Sequence, residues 1–265
     1  MDVIKYTETV FSEKGKSGIM TPDSDGYYTV VVGALNSYNS AGEFYTAKDV
    51  VQLFDNSSHF QRRIKSGALY AELGHPKKQL NQSMEQFYNR VVSIDEKNIC
   101  GHFSEVWLDF NFGKQHPELN NPDLIAIMAK VKPAGINASA LQLAFDNPKQ
   151  NAPFSIRGLT ENKYVNNRVE RRLKNIITFD YVTEPGISIA DKINAPGLEN
   201  RRIANEAYTL REGTDTMVDR AMMKRVLTNN LTNVGMESSN RELFNDILRT
   251  INGGQSSKAS RLASW

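Results

Sequence analysis

Residues 27 to 35, Tyr-Tyr-Thr-Val-Val-Val-Gly-Ala-Leu, narrow the choice of fold more than any other segment. The run is aromatic and β-branched, too short for an ordinary helix, and closed by Asp25-Gly26 before it and Asn36-Ser37 after it. It predicts a buried strand, whose amides and carbonyls must find partners away from water. Val91 to Ile94, Gly101 to Phe110 and Leu124 to Val131 are further short apolar or alternating segments, predicting three strands, or two strands and a helix. Phe154-Ser155-Ile156-Arg157-Gly158 and Asn175 to Val182 predict two neighbouring core strands. Thr46 can cap a helix carrying Val50, Val51, Leu53 and Phe54, and a second short helix is expected across Phe60 to Ile64. The stretch from Pro133 to Asn151, mixing Gly, Asn, Ala and Pro, reads as irregular.

The pattern changes near Asn194-Ala195-Pro196-Gly197, after which β-branched runs disappear, so a boundary is expected between residues 1–196 and 197–265. Beyond it, Met217, Val218, Ala221, Met222, Val226 and Leu227 form a helical stripe. Ser239 could cap a second helix bearing Leu243, Phe244, Ile247, Leu248 and Ile251. The segment Gly254 to Trp265, rich in Ser, Lys and Arg, reads as a tail outside the core.

A chain of 265 residues with 40% apolar positions can bury a core without metal or disulfide staples. Its 32 basic and 30 acidic residues are too balanced to advertise a nucleic-acid groove or an anionic membrane as partner. Cys100, the one cysteine, excludes an intrachain disulfide and four-thiolate zinc sites, and reads as a small buried apolar residue. No stretch approaches the ~20 apolar residues that span a bilayer, and Met-Asp-Val-Ile-Lys lacks the basic start and apolar run of a signal peptide. A soluble protein needing no cofactor is expected.

Acyl transfer at neutral pH needs a nucleophile, a base, a group that orients the base, and donors for an oxyanion. His75 lies in Leu73-Gly74-His75-Pro76, where glycine permits a tight turn and proline removes an amide donor, presenting an imidazole from a rigid loop. Ser155 is strand-borne and followed closely by Arg157 and Gly158, whose backbone could aim amides at an oxyanion while the Arg157 side chain orders the loop. By itself, a serine in a strand is an ordinary small polar residue. Asp180 is an acid inside the apolar run Thr178-Phe179-Asp180-Tyr181-Val182, where an ionised carboxylate costs several kcal/mol unless paired, so a His or Arg partner is expected.

Together these segments resemble the phage prohead proteases, the capsid-maturation serine endopeptidases that share the herpesvirus assemblin fold. The resemblance begins at Val-Val-Gly-Ala-Leu and Asn39-Ser40-Ala41-Gly42-Glu43-Phe44-Tyr45. It is strongest over Gly67-Ala68-Leu69-Tyr70-Ala71-Glu72-Leu73-Gly74-His75-Pro76 and continues through Gly101 to Asp109, Phe154 to Gly158 and Phe179-Asp180-Tyr181-Val182-Thr183-Glu184-Pro185-Gly186. It departs from the family in having Ile156 after Ser155, where many relatives carry a second serine, and in the loop from Phe112 to Pro133. The resemblance implies an α+β fold: a mainly antiparallel, β-barrel-like core surrounded by helices, followed by a helical C-terminal extension or propeptide. It also implies His75 as general base, Ser155 as nucleophile and Asp180 as orienting acid, with Glu184 and His102 as alternatives for the third role.

The implied substrates are scaffold and capsid precursors inside the prohead, in the host bacterial cytoplasm, cut after a glutamate with a small residue two places before it. The enzyme could be retained in the virion, and self-association into a homo-oligomer is expected. The cleavage pattern occurs in this chain at Glu43, Glu85, Glu199, Glu206 and Glu237, and Glu237, between two expected helices, is the foremost self-cleavage candidate. Two rival readings remain. One is a non-enzymatic assembly component with a protease-like domain. The other is a metal-dependent hydrolase using His59, His75, His102 and His116, although no pair of these has the i, i+4 spacing of a helical metal site.

Overall fold

The structure is a computed structural model describing residues 3–6, 16–39, 42–165, 167–183, 186, 187, 189, 190, 192, 198–203, 216–232 and 238–252. Within these, the side chains of 3–6, 16, 17, 198–203, 216–218, 238 and 239 are not described. In chain order the strands are β1 (Val3–Tyr6), β2 (Lys16–Met20), β3 (Tyr28–Leu35), β4 (Ser37–Tyr38), β5 (Phe44–Tyr45) and β6 (Tyr70–Glu72). They continue with β7 (Ile99–Asp109), β8 (Ile125–Pro133), β9 (Phe154–Val165), β10 (Arg168–Tyr181), β11 (Leu198–Ile203) and β12 (Thr216–Asp219). The helices are α1 (His59–Lys65), α2 (Met84–Val92), α3 (Phe112–Gln115), α4 (Ala138–Asp146), α5 (Arg220–Leu231) and α6 (Ser238–Ile251).

The apolar runs around Ser155 and Asp180 do become neighbours: β9 and β10 form a long antiparallel hairpin at the centre of a six-stranded sheet ordered β12-β1-β9-β10-β5-β4. The run at 27–35 becomes β3, buried along almost its whole length, in a four-stranded antiparallel sheet ordered β3-β8-β7-β6. A two-stranded sheet pairs β11 with β2. The molecule is thus α+β with antiparallel sheets, one curled into a half-barrel, and helices; the short β10–β5 contact is parallel.

Each face of the β9–β10 hairpin covers a separate apolar cluster. Phe154, Ile156 and Phe179 face the four-stranded sheet, where Phe103 packs edge-on against Phe154 and Phe179 at 6.2 and 5.8 Å between ring centres. Leu159 and Ile177 face the other way, against Phe87, Val91 and Val92 of α2, Met223, Val226 and Leu227 of α5, and Leu243, Phe244 and Ile247 of α6. The boundary expected at 196/197 falls outside the described residues, but the elements after it are tied in. β11 pairs with β2, β12 with β1, and α5 and α6 complete the second cluster.

Several local expectations shift for identifiable reasons. The helix expected after Thr46 is only a 3-10 turn, Val51–Phe54, because Asp49 takes a left-handed φ of +67° and Thr46 Oγ1 instead accepts from the Lys48 amide. Val91 and Val92 end a helix, so the two-strands-and-a-helix alternative holds, started by a capping box between Ser83 and Gln86. The stretch after Pro133 contains α4, whose Ala, Leu and Gln residues are strong helix formers and which buries Leu141, Ala144 and Phe145. Within the span from Phe112 to Pro133, α3 precedes β8, the strand expected from Leu124 to Val131, which lies between β3 and β7. Met217 and Val218 lie in β12, and α5 begins at Arg220, where the Asp219 carboxylate accepts from the Met222 amide.

Candidate active site

The loop bearing His75 is fastened to the far end of β10. After β6, Leu73 forms a parallel bridge with Tyr181 and its amide donates to Asn98 O at 3.0 Å. Gly74 then turns the chain at φ +77°, a conformation a side chain rarely adopts, while its amide donates to Tyr181 O at 2.7 Å. Pro76 follows and is buried. The imidazole therefore enters the protein rather than solvent, with 2% of its side chain exposed, and His75 Nδ1–H donates to Asp180 Oδ2 at 2.7 Å.

Ser155 and Asp180 are directly opposite each other in the β9–β10 ladder. Directly paired residues project to the same sheet face with Cβ atoms about 5 Å apart, so the Ser155 hydroxyl shares a face with the carboxylate that holds His75. Ser155 is 5% exposed and borders a small cavity of about 10 Å³, also lined by Val32, Gly33, Ile156, Ile187 and Ala190.

Arg157, two residues along the same face and fully buried, brings its guanidinium to Asp180, with Nε 2.9 Å from Oδ2 and Nη2 donating to Oδ1 at 3.0 Å. Nη2 also donates to Glu72 Oε1 at 2.8 Å, and Nη1 to Ser93 O at 3.1 Å. Glu72, fully buried, receives both Nη groups of Arg90, the Asp95 amide at 2.9 Å and the Asn98 side-chain amide at 3.2 Å; its own amide donates to Asp180 Oδ1 at 3.3 Å. Burial alone would raise the Glu72 carboxyl, but Arg157 and Arg90 outweigh it and hold it down at about 2. Gly158 is required by packing: a Cβ there would stand 2.4 Å from Asn175 O.

The other residues raised by the sequence lie elsewhere. His102 accepts from Tyr27 Oη at Nδ1 (3.0 Å) and donates from Nε2 to Gly67 O (3.2 Å), and burial lowers its pKa. His59 lies between Arg62 and Arg249, and His116 contacts Glu118, so the four histidines have separate surroundings. Cys100 is buried; burial, then the charges of Asp180 and Glu72, push its thiol well above the usual range. Glu184, Glu206 and Glu237 lie outside the described residues. Glu199 is in β11 opposite Ile19, Glu43 is paired with Arg171, and Glu85 in the first turn of α2 pairs with Arg225 at 3.1 Å. Sequence reasoning passed over Glu72 and Arg90 as participants. The one available signal was an acid closing the apolar strand just before Gly74-His75-Pro76.

A model of the peptidase S80 family matches residues 6–247. The chain is 30% identical over 241 residues to a capsid maturation protease of Pseudomonas phage phiKZ, covering 89% of this chain and 83% of that protein. No solved structure matches significantly.

Proposed function

The chain belongs to the peptidase S80 family, and from that premise we propose that it is a serine endopeptidase with Ser155 as nucleophile, His75 as general base and Asp180 as orienting acid. The coarser statement, a protease of phage capsid maturation, rests on the family and on the phiKZ relative. The observation that carries the finer one is the buried 2.7 Å contact between His75 Nδ1 and Asp180, with Ser155 opposite Asp180 in the ladder.

In this reading His75 Nε2 takes the Ser155 hydroxyl proton as the oxygen attacks a peptide carbonyl. The same proton goes to the leaving amine, and water then releases the acyl-enzyme. Asp180 keeps the Nδ1–H tautomer and supports the imidazolium that forms. The Arg157 guanidinium is committed to Asp180 and Glu72, so the backbone around Arg157 and Gly158 supplies the oxyanion donors. Of the two amides, that of Gly158 is the one turned away from the β10 ladder. The Phe154 amide points away from β10 to Ala190 O at 2.8 Å, and alternation along β9 turns the Gly158 amide to that same edge.

The substrates in this reading are capsid and scaffold precursors within the prohead in the host cytoplasm, cut after glutamate, with self-cleavage at Glu237, Glu206 or Glu199. Among the described residues no helix is long and apolar enough to cross a membrane. We place the catalytic residues in a domain of residues 1–196 and treat 197–265 as an extension whose α5 and α6 pack against it through the second apolar cluster. Time-resolved mass spectrometry of the purified chain beside Ser155→Ala tests the proposal. New termini after glutamate are expected only with the serine intact, and equal cleavage in both samples would overturn the nucleophile.

A further inference from the structure

Asp180 is asked to do two things at once. Its Oδ2 holds the His75 imidazole at 2.7 Å, and the same oxygen lies 2.9 Å from Arg157 Nε, while Oδ1 accepts from Arg157 Nη2 at 3.0 Å. A buried guanidinium placed on both oxygens of an orienting carboxylate would by itself cancel the charge that supports an imidazolium. The arrangement works only if Arg157 is balanced from its other side. Glu72 does this, 2.8 Å from Arg157 Nη2 and fully buried.

We propose that Glu72 is a positioning residue for the His75–Asp180 pair, acting through Arg157 as the anionic counterweight that leaves the Asp180 carboxylate available to the imidazole. The role rests on the serine-peptidase reading of Ser155, His75 and Asp180. The charges form an alternating line: Arg90 from α2, Glu72 at the end of β6, Arg157 from β9, Asp180 from β10, then His75. Arg90 stands farthest from His75 in this line and is 23% exposed, so solvent screens it more than the inner three, whose sum toward His75 is one negative charge.

Among the described residues, the remaining ionisable neighbours do not supply that charge. Arg63 of α1 is spent on Ile176 O and Ile177 O, its pKa lowered to about 10 by burial and then by Arg157. Cys100 of β7 is held as the neutral thiol by burial and by Asp180 and Glu72. The backbone adds a second link, since the Glu72 amide donates to Asp180 Oδ1 at 3.3 Å, so the residue that balances Arg157 also touches the carboxylate being oriented.

A purely structural ion network predicts loss of stability with an unchanged His75 titration. The counterweight predicts shifts of opposite sign from adjacent members of one network. The measurement is an NMR titration of His75 in the full chain carrying Ser155→Ala to prevent self-cleavage, its resonance assigned among the four histidines by a His75→Gln control. Glu72→Gln should lower the His75 midpoint by about one pH unit, and Arg157→Gln should raise it by a similar amount. Glu72→Asp, which keeps the charge, should bring the midpoint back toward the parent value. Where Glu72→Gln does not fold, Arg90→Gln decides, with an expected rise of roughly a quarter to half a unit.

Midpoints unmoved, or moved in the same direction by Glu72→Gln and Arg157→Gln, overturn the proposal, as does the absence of a rise in Arg90→Gln. With the serine intact, the acid limb of kcat/KM for a peptide spanning residues 232–241 should follow the same shifts, with KM changed less than kcat. Because the titration is read without turnover, an inactive parent chain would remove the peptidase reading while the midpoints still judge the counterweight.

Discussion

Deleting everything after Asn194 is the perturbation that most directly weighs the C-terminal helices, and its size can be worked from the second apolar cluster. The side chains left behind are Phe87, Tyr88, Val91 and Val92 of α2, Leu159 of β9 and Ile177 of β10, all 3% exposed or less in the full chain. Full burial of such a side chain is worth about 1.5–3 kcal/mol, so uncovering half of each of six costs roughly 5–9 kcal/mol. Deletion also removes the ordering entropy of α5 and α6, a gain set against the lost burial of those helices' own side chains, such as Met223, Leu227, Leu243, Phe244 and Ile247. Polar contacts go as well, among them Tyr88 Oη with the Asp219 amide, the Asn175 side-chain amide with Asp246, Asn230 with Asn89, and Arg225 with Glu85. Against a typical domain stability of about 5–15 kcal/mol this is enough to unfold the remainder or leave it aggregating. Urea melts followed by circular dichroism, with size-exclusion chromatography, should show no cooperative monomeric species for the chain ending at Asn194. In the full chain Ile247→Ala should cost about 2–5 kcal/mol. A monomeric truncated chain less than about 2 kcal/mol weaker than the parent would refute the reasoning and make the helices a removable propeptide.

Glu72, held at about 2 against an ordinary 4.5, contributes stability that is complete above pH 4.5 and is lost as the pH falls toward 2. Urea midpoints at pH 5 and pH 3 should therefore differ more for the parent than for Glu72→Gln, and equal differences would contradict the assignment. Gly158→Ala should lose activity and about 1–3 kcal/mol, because the new Cβ meets the backbone at Asn175 O; an unchanged melt would show that the ladder can yield there. Cys100, buried with its thiol pushed up, should resist iodoacetamide in the native chain while cleavage continues; inactivation by the reagent at Cys100 would argue for a thiol nucleophile.

Much of the scaffold is legible in short windows of sequence. The apolar runs at 27–35, 154–158 and 175–182 are strands, and the period and capping signals around Phe60 and Leu243 are helices, because burial and backbone pairing impose a period on neighbouring residues. Where a window misled, a local detail prevailed. Asp49 in a left-handed turn cut short the helix after Thr46, and the Ala and Leu content of 138–146 outweighed its polar flanks.

The chain by itself determined which side chains were candidates: an imidazole on a Gly-Pro loop, a hydroxyl beside Arg157, and an acid in an apolar strand that had to be paired. Only the tertiary structure decided the pairing. His75 meets Asp180 across 105 positions of sequence, Arg157 meets Glu72 across 85, and His102, an equal claimant by type, is carried off to Tyr27 and Gly67. Strand register and the Gly74 turn set these meetings; the turn is written beside His75, but the register that sets Ser155 and Arg157 against Asp180 is not encoded by residues near the ones that meet. The same separation kept Glu72 and Arg90 out of sight: what a buried charge does depends on which opposite charge the fold delivers to it.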